Sequence, residues 1–299
     1  MARKKVKKTK KAKPPVEEQL PSEETPLPPG EAAIAGLTMC ETNVYKGRIL
    51  NCVPSASPEA DWTIDTAIQA GDASASLSYS PRCDLRAAWW RVRNQRRTGA
   101  CVGFAAADSV LRWHYHKAGM IRSEETSPRF IWMANKETDD ITSYPTTFIE
   151  STGTQTKYAL RIARRYGCVL ERHLPMVGGL YTGSSASFYS MAARFRIRAF
   201  YNLGRNLSVW RYWICRVGPI LTRLNCDRAW MNASRANPHL RVYPTGHKYG
   251  GHAVALVGYT SSYFIVRNSW GATWGDRGFA YAWDAYAARA FTEAYGVVL

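Results

Sequence analysis

The chain has 299 residues, 46% of them hydrophobic, and a formal charge of +17. That apolar content suffices for one large core or two modest ones and excludes a chain disordered throughout. No uninterrupted apolar stretch approaches the roughly 18 residues that a membrane-spanning helix needs, and no segment repeats with a period of roughly 20 to 50 residues, which excludes solenoids and propellers.

Residues 1–30 hold seven of the twelve lysines, followed by prolines and glutamates with almost nothing apolar to bury, which predicts a disordered basic, Pro-rich tail. Pro14, Pro15 and two glutamates follow the basic run, where a secretory signal would place an apolar stretch, so no export signal is read. The tail contributes +4 and residues 31–299 the other +13, with 27 arginines against five lysines beyond residue 30. Arginine suits bidentate contact with carboxylate or phosphate. An anionic partner and a merely solvated basic surface both fit this excess, and contact with a polyanion is expected through the tail. The seven cysteines (40, 52, 83, 101, 168, 215 and 226) contain no CxxC pair, which argues against a zinc ribbon or a thioredoxin-type motif. Their odd number and the missing export signal predict a reducing, cytoplasmic setting. No metal or cofactor is expected.

Residues 31–77 form a poorly patterned extension with one candidate element, "DWTIDTAIQAG", read as a short helix that Asp61 caps and Gly71 closes. From Cys101 a helix is predicted, because Val102, Ala105, Ala106, Ser109, Val110 and Trp113 recur at three- and four-residue spacing and Gly119 offers an end. A second helix is expected over 155–166, with Tyr158, Ala159, Ile162, Ala163 and Tyr166 on one face. Lys157, Arg161, Arg164 and Arg165 share the other, read as a solvated stripe. In the last third, "GPILTRL", "HAVALVGY", "YFIVRNSW" and "GFAYAWDAY" read as strands, with "TSS" at 260–262 joining two of them as a hairpin. Helices first and strands second predict an α+β fold of two lobes with a cleft between them.

A lone cysteine is usually a buried hydrophobe, so Cys101 needs a reason to be anything else. Its predicted place at a helix N-terminus would favour the thiolate, as would a nearby histidine. His252, at the start of an apolar strand, is the best placed of the six histidines. His114 and His116 lie two apart on a helix and point to different faces, which spoils them as paired metal ligands. His173, His239 and His247 stand in loop-like contexts without partners and are read as structural or solvated.

Four separated features then carry a resemblance to the papain-like cysteine peptidases. Gln95 lies six residues before Cys101; Cys101, His252 and Asn268 follow in the family's chain order; Asn268 stands 16 residues after His252; and "NSWGATWGDRGF" follows the family's Asn-Ser-Trp-Gly run. The likeness extends over roughly residues 78–299 and is greater to bacterial members with a Cys-Val-Gly-Phe-Ala run. It implies a papain-like fold with a helical N-terminal lobe and an antiparallel β-rich C-terminal lobe. It also implies Cys101 as nucleophile, His252 as its proton partner, Asn268 as the orienter of the ring and Gln95 as an oxyanion donor. Trp270 would cover the His252–Asn268 bond, and Trp274 would pack. Gly153 and Thr154 align approximately with a glycine pair that binds extended peptides, and Gly251 stands before the histidine where plant members often carry Asp. Thr98 replaces a cysteine that many members use in a disulfide. The expected substrate is a peptide or protein, with residues 227–250 as a loop bordering the cleft and residues 31–77 as a possible inhibitory pro-segment. Acyl transfer by the same chemistry, and a non-catalytic scaffold tethered to polyanions, remain the alternatives.

Overall fold

The computed structural model describes residues 44–138 and 154–299. The tail of residues 1–30, the first part of the extension and Gly153 lie outside the described residues. The extension begins with two short paired strands, β1 (Val44–Tyr45) and β2 (Arg48–Ile49), and continues to helix α1 (Ile64–Gln69). Asp61 does not cap that helix. Thr63 and Thr66 do, by exchanging side-chain and backbone bonds in a capping box. The Asp61 carboxylate instead pairs with Lys157 at 2.5 Å and accepts from Tyr295 Oη at 2.8 Å.

After β3 (Cys83–Asp84) comes the helix predicted from Cys101: α2 (Cys101–Gly103), a π-helical stretch (Phe104–Leu111) and α3 (Arg112–Lys117), with Gly119 just beyond the end at φ 72°. The Arg112 amide reaches back five residues to the Ala107 carbonyl, and such wide turns gather at functional positions. Gly103 sits against helix α4 (Pro128–Thr138), where a Cβ would lie 2.4 Å from the Pro128 carbonyl oxygen and 3.0 Å from Trp132 Cβ. Gly103→Ala should therefore force the two helices apart and cost about 1–3 kcal/mol, readable as a lower urea midpoint; an unchanged midpoint would contradict the close approach.

Helix α5 (Thr156–Arg165) forms where expected. Its basic stripe is only partly solvated: Arg161, Arg164 and Arg165 are exposed, but Lys157 is buried. A periodic pattern cannot reveal that Asp61, distant in sequence, waits for this ammonium. Helix α6 (Ser185–Ala193) follows. The remaining elements are β4 (Ala199–Asn202), α7 (Leu207–Arg216), β5 (Ile220–Cys226), α8 (Arg228–Met231), β6 (His239–Leu240), β7 (Gly250–Tyr259), β8 (Tyr263–Arg267), β9 (Phe279–Trp283), α9 (Asp284–Ala290) and β10 (Phe291–Val298). The "GFAYAWDAY" segment is a strand only as far as Trp283, since Asp284 opens α9.

The sheet runs β4-β10-β5-β7-β8-β9-β6, with β3 also pairing β7, and every pairing is antiparallel except β6 with β9. The hairpin at 260–262 is closed by Thr260, whose amide donates to the Tyr263 carbonyl at 2.8 Å. Strand β7 reads as a continuous apolar run because both of its faces are buried. Ala253, Ala255 and Val257 join a core with Val102, Ala106 and Val110 of the Cys101 helix, while Val254 and Leu256 join a second core with Trp210 and Trp213 of α7. The sheet is thus covered by the helices of the first lobe on one side and by α7 and α9 on the other.

His114 illustrates what such burial does to a titratable group. Its ring is 6% exposed, stands edge-on to Trp113, and leaves Nε2 without a hydrogen-bond partner. Burial pushes its pKa from 6.5 down to about 4. The unfolded chain takes up this proton near pH 6.5 while the folded chain refuses it until about pH 4. The stability associated with the neutral ring is therefore full above pH 6.5 and is lost progressively between pH 6.5 and 4, by about 3 kcal/mol. His114→Gln should flatten the dependence of the urea midpoint on pH in that window. An unaltered slope would exclude His114 as its source.

Candidate active site

Two elements bring the chemistry together. The helix that starts at Cys101 places its thiol at the end where unpaired backbone N–H groups favour negative charge. Strand β7 presents His252 opposite Leu224 of β5, so the imidazole is fixed by sheet register. Strand β8 ends at Arg267, and Asn268 follows directly. His252 Nε2 and Asn268 Oδ1 are 2.7 Å apart. Because that oxygen also accepts from the Ser269 amide at 2.7 Å, the ring nitrogen is the donor. His252 Nδ1, on the opposite side of the ring, has no hydrogen-bond partner. It is left for sulfur.

The Cys101 thiol is held well below its ordinary pKa by a hydrogen bond from Cys52 and, less strongly, by His252, against burial that acts in the opposite direction. The anion is the form these partners favour.

Gln95 is tied at both ends of its amide. Its Nε2 donates to the Thr98 carbonyl at 2.8 Å, and its Oε1 accepts from Ser269 Oγ at 2.6 Å. The Thr98 hydroxyl returns a bond to the Gln95 carbonyl at 2.7 Å, so hydrogen bonds tie the loop at Thr98, where many papain-like members carry a disulfide cysteine. Trp270 lies over the imidazole, with ring centroids 4.8 Å apart and planes 35° apart. Trp274 packs on Trp230 and donates to its carbonyl at 3.1 Å.

Three neighbours were not legible as site residues. Ser269 orients both Asn268 and Gln95 but reads in sequence as one letter of a longer run. Trp230, whose ring stands edge-on to His252 at 5.8 Å, lies in the segment expected as a loop and is carried by α8, which Asp227 caps. Cys52 belongs to the extension and had no pattern to recommend it.

The extension closes over the site as a strap. The Cys52 amide donates to the Gly251 carbonyl at 3.0 Å, the Cys52 carbonyl accepts from Arg223 Nε at 2.9 Å, and the Val53 amide donates to the Thr154 carbonyl at 3.2 Å. Gly251 is required here, because a Cβ would lie 1.9 Å from the Cys52 carbonyl oxygen. Farther along, Glu293 accepts from the Ser55 amide and hydroxyl at 2.8 and 2.7 Å, and Lys157 donates to the Ala56 and Ser57 carbonyls at 2.9 and 3.0 Å. Cys101 and His252 are both 0% exposed beneath it. Of the predicted residues, Cys101, His252, Asn268, Gln95 and Trp270 thus converge, while Gly251 and Thr154 hold the strap.

The chain belongs to the papain family of cysteine proteases, whose sequence model matches residues 79–289. Its fold is the papain-like α+β fold of two lobes. The crystal structure of xylellain, a cysteine protease from Xylella fastidiosa, superposes with a TM-score of 0.69 at 18% identity, covering 83% of this chain and 95% of that one. Procathepsin B S9 from Trypanosoma congolense gives 0.62 at 14% identity, covering 83% and 85%. Papain of Carica papaya is 50% identical over 38 residues, and Peptidase 1 of Dermatophagoides farinae 49% identical over 43. Those local matches span only 11% and 13% of the relatives' own lengths. No helix among the described residues is long and apolar enough to cross a membrane.

Proposed function

We propose that the protein is a cysteine peptidase that hydrolyses peptide bonds, captured here in a latent form. The observation that carries this reading is the His252 ring held by the Asn268 side-chain oxygen, with its other nitrogen unpartnered and the ring favouring the Cys101 thiolate. In the mechanism, the Cys101 thiolate attacks the carbonyl carbon and His252 donates its proton to the departing amine. His252 then takes a proton from the water that cleaves the thioester. Asn268 holds the ring in position without adding a charge. The Cys101 backbone N–H and the Gln95 amide stabilise the tetrahedral oxyanion, a contribution of about 3 kcal/mol per donor in comparable sites. Gln95 reaches that role by freeing an amide hydrogen not used by Thr98.

Latency rests on the strap. With Cys52 and Val53 bonded to carbonyls on both sides of the thiol, a substrate backbone has no path to Cys101 until residues 48–57 move or are removed. The test is to incubate the full chain with a peptide library, following products and the intact mass of the protein, with Cys101→Ala in parallel. New peptide termini in the wild type alone, appearing as the N-terminal region is lost, support the reading. Products carrying an added amine in place of water would reassign the chemistry to acyl transfer, and cleavage by Cys101→Ala would reject it.

A further inference from the structure

The strap does more than exclude substrate: it places a second thiol on the nucleophile. Cys52 is 2% exposed and Cys101 is 0% exposed, both belong to the same buried core, and each thiol perturbs the charge of the other. The backbone on both sides of Cys52 is fixed, its amide on Gly251, its carbonyl on Arg223 and the next amide on Thr154, so its sulfur has little freedom to turn away. Nothing in peptide hydrolysis uses this thiol, and steric closure of the cleft would be served as well by an alanine.

We propose that Cys52 and Cys101 are a redox pair that closes into a disulfide, fastening the strap covalently across the active site until a reductant releases it. The activity side of this proposal rests on the reading of Cys101 as the nucleophile; the disulfide itself does not.

The two sulfurs are unlike in the way the chemistry requires. Burial, followed by the interaction with Cys101, pushes the Cys52 thiol well up, while Cys101 is held down; the pair favours the charge on Cys101 and the proton on Cys52. The oxidant we name is a peroxide, which reaches the thiol when the strap opens locally. The Cys101 thiolate attacks one peroxide oxygen, the O–O bond breaks and hydroxide leaves, giving the sulfenic acid. The Cys52 sulfur then attacks the Cys101 sulfur, the S–O bond breaks, and the departing hydroxyl leaves as water with the proton from Cys52. The two cysteines together lose two electrons and the peroxide gains them. The Arg223 guanidinium, 2.9 Å from the Cys52 carbonyl, favours the anion that develops on Cys52 in this step. A thiol reverses the process by exchange through a mixed disulfide.

The structure offers a competing pair. Cys83 and Cys215 also perturb each other's charge, but both are only half-buried, and their sulfurs bond the Ile214 carbonyl and the Ser80 hydroxyl and not the site. The experiment separates them. Reduced full-length protein is treated with equimolar hydrogen peroxide, the remaining thiols are alkylated, and a non-reducing digest is read by mass spectrometry. We expect a linked peptide pair containing Cys52 and Cys101 that disappears with dithiothreitol, and at least a tenfold slowing of the rate at which the chain sheds its N-terminal region and gains peptidase activity, which the same reagent restores. In Cys52→Ser the link is absent, and a second equivalent of peroxide carries Cys101 on from the sulfenic to the sulfinic acid, so the loss becomes irreversible. Cys52→Ala serves if the serine variant does not fold, and the wild-type digest decides without either. A Cys101 that goes to sulfinic acid in the wild type, or a link confined to Cys83 and Cys215, overturns the proposal. A Cys52–Cys101 link in a chain without peptidase activity would leave the redox pair standing and remove the enzyme reading; activity without the link would do the opposite.

Discussion

Cys101→Ala is expected to lower kcat/KM for peptide hydrolysis by on the order of 10⁵ to 10⁶, the scale seen when a catalytic nucleophile is deleted from a comparable constellation. Alanine has no atom that can form the thioester, and His252 and Asn268 then have nothing to activate. The fold should survive. The replaced group is a single sulfur atom at the start of a helix whose register is set elsewhere, so the thermal midpoint should move only slightly. The comparison is made on chains freed of the strap, with a fluorogenic peptide, because the closed form hides the site in both. Residual activity above roughly one per cent would place the nucleophile elsewhere.

The second large effect is on stability. Asp108, on the same helix as Cys101, sits among three arginines: its Oδ1 is 3.1 Å from Arg112 and 3.6 Å from Arg93, and its Oδ2 is 2.9 Å from Arg267. The Arg267 side chain is fully buried and also donates to the Trp90 and Arg91 carbonyls at 2.8 Å each. Asp108→Ala leaves that guanidinium in the interior without its counter-charge, a loss of about 3–5 kcal/mol for a broken buried pair. The damage reaches the site by covalent connection, since Asn268 follows Arg267 and the carboxylate anchors the nucleophile's helix to the strand that carries Asn268. Urea unfolding should show a large drop in midpoint, and kcat should fall together with it; a midpoint shift below about 1 kcal/mol would mean the cluster is more open to water than its burial indicates.

The reading from sequence succeeded where the signal was local or where several residues recurred at fixed intervals. The helix after Cys101, the hairpin at 260–262 and the two-sided strand carrying His252 all follow from periodicity and turn chemistry. Gln95, Cys101, His252 and Asn268 were singled out by spacing, and the structure bonds His252 to Asn268 and ties Gln95 to the neighbouring Ser269. The misreadings share one cause, a partner remote in the chain. Lys157 looked like one more solvated cation on a helix face because Asp61 lies 96 residues earlier. Asp61 looked like a cap because capping is the local use of an aspartate. Cys52 carried no local signal, since what gives it meaning is a thiol 49 positions on. Asp284 was included in a strand because its aromatic neighbours read as strand formers, although it opens a helix.

The missing side chain at Gly251 is a fingerprint as well as a fit. The extension can follow its present route only because the position ahead of the imidazole-bearing residue is bare; a methyl group would already meet the incoming peptide oxygen. A chain of the same fold that carries any side chain at that position cannot lay an N-terminal segment along this path, so the identity of one residue decides whether this wrapping is open to it.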